Sequence, residues 1–166
     1  MPKHIFVEEN RNFEIITEYA DEFIELNTVY HKTILSDVDL IISKGNEVIL
    51  MEYKNANIPN ASNPEVFEEK LNSDDHYRKI ARKYYDSLIY VANSELKADV
   101  KKFYYVIEAK NLDSVLRARI AGKIKRKLPF DLNSDLGLLK SFIDEFHVVS
   151  IEEWNKEYSE YAFVAC

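Results

Sequence analysis

The sequence predicts an α/β fold: one domain over residues 1–166, with a central mixed β-sheet flanked by helices. Three observations carry this. Two apolar, strand-length runs, Val38–Ile42 and Val48–Met51, are separated by Lys44-Gly45-Asn46. A stripe at helical spacing, Ile80, Tyr84, Leu88 and Val91, runs through residues 74–93 and is followed by the strand-like Phe103–Ile107. Helical and strand periodicities therefore follow one another along a chain of 166 residues, which suits a single core.

In chain order, Asn12 to Leu26 reads as a helix, with Phe13, Ile16, Ala20, Phe23 and Ile24 on its apolar face. Thr28 to Ile34 reads as a strand entering the hairpin. Ser36 to Ile42 and Val48 to Lys54 are the two hairpin strands. Asn55 to Pro64 carries two prolines and four asparagines and reads as a loop. A helical segment starts near Pro64, and a long helix spans Asp74 to Asn93. Lys102 to Glu108 reads as a strand, and Leu112 to Lys127 as a helix with Asp113 or Ser114 near its cap. Phe146 to Ile151 is a last short strand, and Glu152 to Tyr161 a closing helix.

The hairpin brings chemistry together. Side chains alternate faces along a strand, so Glu52 and Lys54 share a face and Tyr53 takes the other. With Gly45-Asn46 as a two-residue loop, Lys44 pairs with Glu47, Ser43 with Val48, and, counting outward, Asp39 with Glu52 and Asp37 with Lys54. A three-residue loop would place Asp39 opposite Met51, on the wrong face for Glu52. Gly followed by Asn suits the two-residue turns, and Lys44 with Glu47 makes an opposite-charge pair beside it. Asp39 and Glu52 are then two hard oxygen donors to which the Tyr53 carbonyl adds a third. Such a set suits Mg²⁺ or Mn²⁺, which take one or two carboxylates together with water and substrate phosphate. Lys54 beside them would orient a water or neutralise charge in a transition state. Ordinary solvated charge on a hairpin accounts for Asp37, Lys44 and Glu47. It accounts poorly for Glu52 and Lys54, which follow an unbroken apolar run.

Val38-Asp39-Leu40-Ile41-Ile42, a short turn, and Ile49-Leu50-Met51-Glu52-Tyr53-Lys54 resemble the core of the PD-(D/E)XK nuclease superfamily, which includes archaeal Holliday-junction resolvases and RecB-like nucleases. The resemblance covers about residues 11–90. It implies a restriction-endonuclease-like core and Mg²⁺-dependent hydrolysis of phosphodiester bonds in DNA, whether branched, damaged or single-stranded. Asp39 and Glu52 correspond to the metal-binding acids and Lys54 to the catalytic lysine. Glu14 corresponds to the first-helix glutamate, with Glu18 one turn further on as the alternative. Val38 stands where the family usually has proline. A non-catalytic module that keeps the nuclease fold and binds nucleic acid or protein is the rival reading. The second acid-x-lysine, Glu108-Ala109-Lys110, lacks an aspartate strand at hairpin distance and reads as core strand.

Charge bears on the partner. The net charge is −7 at pH 7, while a DNA partner calls for lysine and arginine. Residues 76–85 and 117–127 are locally basic, and acids gather in residues 8–25, 65–75 and 152–160. Arg119, Lys123 and Arg126 share a helix face at spacings of four and three, a candidate grip on phosphate. Lys79 and Lys83, one turn apart, are further candidates. Within their helix they would instead pair with Asp75 and Asp86. The acidic surface offers a place for a protein partner, and a homodimer would match two strands of a duplex. His31 and His76 have no partner at metal-ligand spacing and read as half-exposed structural residues. Tyr84, Tyr104 and Tyr105 occupy core-like positions rather than base-stacking ones. The only cysteine is Cys166, which excludes internal disulfides and Cys-rich metal sites, and the three glycines form no phosphate loop. With no bilayer-length apolar run and no signal-peptide pattern, the expected setting is cytoplasmic, without membrane contact.

Overall fold

The computed structural model describes residues 4–57, 64–135, 137 and 139–166. Its centre is a five-stranded mixed sheet in the order β3-β4-β5-β6-β7. These strands are β3 (Glu22–Ile24), β4 (Leu40–Lys44), β5 (Glu47–Asn55), β6 (Val100–Glu108) and β7 (Glu145–Val149). The pairs β3/β4 and β4/β5 are antiparallel, while β5/β6 and β6/β7 are parallel. A smaller antiparallel sheet joins β1 (His4–Val7), β2 (Phe13–Thr17) and β8 (Phe163–Ala165) in the order β1-β2-β8. Among the described residues no helix is long and apolar enough to cross a membrane.

Alternation along the strands divides the core in two. On one face Ile41, Val48, Leu50, Phe103, Tyr105 and Ile107 pack under helices. These are α2 (Pro64–Lys70), α3 (Asp74–Asn93) and α4 (Ser114–Lys125), which contribute Phe67, Tyr84 and Ile124 among others. On the other face Leu40, Ile42, Ile49, Met51, Tyr53, Tyr104 and Val106 pack against Ile15 and Phe163 of the small sheet. Trp154 of α6 (Ile151–Glu157) completes that face. Tyr84, Tyr104 and Tyr105 are fully buried, as their positions predict.

The helix α3 has the predicted bounds and is capped by the Ser73 hydroxyl, which accepts from the His76 N–H. Asp113 caps α4 by accepting from the Leu116 N–H. Two expectations near the N-terminus are overturned. Residues 12–26 are not helical: they form β2, a turn and β3. Ile15, Ile16 and Thr17 are β-branched, and Ile15 and Thr17 are buried on one face while β1 and β8 flank the strand. The apparent helical stripe was two short strands read across a turn. Residues 28–34 are not a strand either. They contain the short helix α1 (Asn27–Tyr30) and turns closed by local bonds, such as Thr33 N–H to the Tyr30 carbonyl. The strands β1 and β8 and the helix α5 (Phe130–Asp135) are additional to the sequence expectation. The expected loop 55–64 lies largely outside the described residues.

Candidate active site

The hairpin register is the one the turn chemistry favours. Lys44 pairs with Glu47, Ser43 with Val48, and the ladder continues to Leu40 opposite Met51. Gly45 takes a φ of 59°, which glycine reaches without steric cost. Continuing this register one step would set Asp39 opposite Glu52, and the Asp39 charge does act on Glu52. Here the first strand leaves the sheet for α3: Val38 N–H donates to the Ser87 hydroxyl at 3.0 Å, and Ser36 N–H to the Asp86 carboxylate at 2.8 Å. The departure strips Tyr53 of its main-chain partner, and Asp39 Oδ2 accepts from the Tyr53 N–H at 2.8 Å in its place. The N–H and C=O of one strand residue point to the same edge, so the Tyr53 carbonyl also faces the Asp39 side.

Glu52 lies on the helical face beside Tyr105, its ladder partner on β6. It is buried. Its Oε1 accepts from Lys83 Nζ at 2.7 Å, and its Oε2 is buried with no hydrogen-bond partner. The pairing of Lys83 with Asp86 expected within α3 is therefore overturned: Arg82 pairs with Asp86 at 3.4 Å, while Lys83 reaches across to the sheet. Lys79 does pair within the helix, with Asp75 at 3.1 Å. Lys54 is exposed, with its Nζ 5.7 Å from the centroid of the Phe67 ring. It borders two small cavities, one of about 250 Å³ beside Asp39 and one of about 240 Å³ beside Glu52 and Lys83.

Burial is the main force on both acids. It pushes Asp39 up to about 6, against the opposing pull of the Tyr53 N–H and Lys83. It pushes Glu52 up to about 8, with the Asp39 charge adding to the rise and Lys83 opposing it. For Lys83 burial alone would favour the neutral amine. Glu52, with Asp39 and Asp37, outweighs that and raises its pKa. Burial disfavours the charged form of both carboxylates, and a cation beside them would favour it.

The first-helix glutamate finds no helix. Glu14 sits on β2, paired between Val7 of β1 and Val164 of β8, and Glu18 follows in an exposed turn. The acids that border the Asp39 cavity are Glu8, Glu9, Glu25 and Asp37. Glu8 is committed to its own turn, accepting from the N–H groups of Asn10, Asn12 and Phe13. Glu25 follows directly on β3, so only the β3/β4 pairing brings it to Asp39. Asp37 was visible in the sequence as the companion of Asp39 in Asp-Val-Asp.

His76 is half-buried, with its Nε2 3.1 Å from the Tyr105 hydroxyl. Burial, then Lys79 and Lys70, lowers its pKa to about 4, so it is a neutral imidazole at ordinary pH. It borders the Glu52 cavity, a placement its sequence position did not announce. His31 Nδ1 lies 2.7 Å from the Asn27 carbonyl of its own turn. Arg119, Lys123 and Arg126 are exposed together, and Lys123 lies 5.9 Å from the Tyr77 ring centroid. None of the three borders the Asp39 or Glu52 cavity. In the second acid-x-lysine, Glu108 Oε1 accepts from the Ile151 N–H at the start of α6, at 2.8 Å.

Among the described residues no three His, Cys, Asp or Glu side chains converge as a self-sufficient metal cage. A Mg²⁺ site does not need one, because two carboxylates suffice when water and phosphate complete the shell. The buried, unpartnered Glu52 Oε2, the Asp39 carboxylate and the Tyr53 carbonyl are the oxygens that would hold such an ion. Comparison with protein-family models, with curated proteins and with solved structures finds no match for this chain.

Proposed function

We propose that this chain is a metal-dependent nuclease that hydrolyses phosphodiester bonds in DNA. The observation that carries the reading is the buried Glu52 carboxylate, with one oxygen unpartnered, next to the Asp39 carboxylate at the mouth of a hairpin. A buried polar atom without a partner is uncommon, and near a second acid it is a place for a cation. The topology supports the reading as well. Asp39 leads into β4, the antiparallel β5 carries Glu-x-Lys, and helices follow, the order that the PD-(D/E)XK resemblance implies. The preceding helix of that core is replaced here by the small sheet.

Asp39, Glu52 and the Tyr53 carbonyl would hold Mg²⁺ or Mn²⁺. A bound ion of this kind polarises a phosphoryl oxygen and lowers the pKa of a coordinated water. Lys54, exposed at the boundary of both cavities, would meet a phosphate entering from solvent. Arg119, Lys123 and Arg126 would hold the backbone further along, and Lys79 would join them by exchanging Asp75 for phosphate. The buried faces of the sheet exclude water from the inner side of Glu52, which strengthens these charge interactions.

One observation favours the rival, a non-catalytic binding module. Lys83 already occupies Glu52 Oε1 at 2.7 Å, so part of the site is satisfied without a metal. Mg²⁺- or Mn²⁺-dependent cleavage of plasmid, single-stranded and branched DNA separates the two. Cleavage by wild type and its loss in Asp39→Asn and Glu52→Gln, with folding unchanged, is the expected result. DNA binding without cleavage would establish the module, and equal cleavage by all three proteins would point to a contaminant.

A further inference from the structure

We infer that Lys83, on the crossover helix, is the lysine that positions Glu52, and that Lys54 serves another purpose. The inference rests on the reading of Asp39 and Glu52 as metal-binding acids. The Glu-x-Lys spacing places Lys54 on the same face as Glu52 but two residues along, about 7 Å further down the strand. There its ammonium lies by the Phe67 ring, open to solvent. Lys83 instead projects from the middle of α3, and its ammonium is within 2.7 Å of Glu52 Oε1.

This contact does two things. It fixes the carboxylate plane, since one oxygen is held by a helix that is itself packed through Ile80, Tyr84 and Ser87. It also leaves the other oxygen, Oε2, buried and without a hydrogen-bond partner, with its acceptor capacity unused. Removing one member of such a pair strands a charge in a poorly solvated place, whereas removing both removes the problem. The work that the Glu-x-Lys spacing gives to one lysine is divided: Lys83 orients the acid from behind, and Lys54 faces the solvent where a phosphate arrives. Lys83 is a positioning residue, and as a positive charge near the cation site it also opposes metal binding.

The test uses wild type, Lys83→Met, Lys83→Arg and Lys54→Met, each with and without Glu52→Gln. Lys83→Gln stands in if Lys83→Met fails to fold. In metal-free protein, Lys83→Met is expected to lower the urea midpoint, and adding Glu52→Gln to recover much of the loss. Lys54→Met and Glu52→Gln should be additive. With Mn²⁺ measured by calorimetry, Lys83→Met should bind at least about threefold tighter, because a like charge is gone. Its single-turnover cleavage should nevertheless fall about tenfold or more, with Lys83→Arg restoring most of it. A merely structural lysine would not separate affinity from turnover in this way. Additive midpoints for Lys83→Met and Glu52→Gln overturn the inference, whatever the protein cleaves. So does a coupled pair in which Lys83→Met cleaves like wild type. A coupled pair in a wild-type protein that neither binds Mn²⁺ nor cleaves DNA supports the pairing and rejects the nuclease reading.

Discussion

Two acid-x-lysine triplets belong to adjacent parallel strands of this protein: Glu52-Tyr53-Lys54 lies within β5, Glu108-Ala109-Lys110 begins at the last residue of β6, and their surroundings differ in every respect that matters for chemistry. Asn55, just past the first triplet, pairs with Glu108, so the second triplet starts where the first has ended. Glu52 is enclosed between sheet and helix, feels the charge of Asp39 from the other arm of the hairpin, and keeps one oxygen without a partner. Glu108 is half-buried, and one of its oxygens caps the first N–H of α6. Its neighbours on β6 are parallel strands, so no hairpin presents it with an aspartate. The same three-residue pattern is thus a candidate site in one place and a helix anchor in the other. What separates them is the residue opposite, which strand pairing decides.

The largest expected effect tests that contrast directly. Glu52→Gln and Asp39→Asn should each lower Mg²⁺-dependent DNA cleavage by about 100-fold or more, the scale of losing a group that acts on the transition state. Glu108→Gln should leave cleavage within about threefold, since that side chain supports a helix end. Rate measurements on all three variants under one set of conditions would show this. A comparable loss in Glu108→Gln would erase the distinction between the triplets.

A second effect concerns the helix that the second triplet leads into. Charge reversal of Arg119, Lys123 and Arg126 on α4 should weaken DNA binding irrespective of sequence. It should also flatten the slope of log affinity against log salt by about 3, if each side chain meets one phosphate. Fluorescence titrations at several salt concentrations would read the slope. An unchanged slope would remove α4 from the interface and leave the basic side chains of α3, Arg78, Lys79 and Arg82, as the remaining candidates.

A third effect follows from the burial of Glu52. Its folded pKa, about 8, lies above the ordinary value of 4.5, so the folded protein holds a proton there that the unfolded chain releases. Folding stability of the metal-free protein therefore falls as pH rises from about 4.5 through about 8. Asp39, raised to about 6, contributes in the same direction over a lower window. Glu52→Gln removes the larger part. Urea midpoints at pH 5, 7 and 9 should decline less steeply in this variant than in wild type. Expressed as unfolding free energy, the midpoint times the denaturant slope, the gap should be on the order of 1.4 kcal/mol, the equivalent of one unit of pKa. Parallel declines would mean that Glu52 is ionised throughout and fully compensated by Lys83.

The smallest effect belongs to the second triplet. Glu108→Gln weakens the charge-assisted bond to the Ile151 N–H and should cost about 1 kcal/mol of stability. A larger loss would show that the anchor also holds the small sheet in place through α6.

The hairpin and its register were legible because they depend on local chemistry. Gly45-Asn46 admits few turns, Lys44 and Glu47 close it, and counting outward from them reaches Asp39 and Glu52 without reference to the rest of the chain. The long helix α3, the strand β6 and the capped helix α4 were legible for similarly local reasons: α3 carries an apolar stripe at helical spacing, β6 a continuous apolar run, and α4 its own capping aspartate, Asp113. Residues 12–26 were not. A five-residue strand and a three-residue strand divided by a turn leave apolar spacings that a helix would also produce, and only pairing with β1, β8 and β4 selects the strands. Whether Glu52 has a partner was equally out of reach, because Lys83 lies 31 positions away and a helical reading offered it Asp86 as a neighbour. The sequence by itself therefore determined the acids, their order and their hairpin. Tertiary structure decided which lysine reaches Glu52, which acids border Asp39 and which triplet keeps a free oxygen, because these depend on contacts between elements far apart in the chain, whose formation no local propensity specifies.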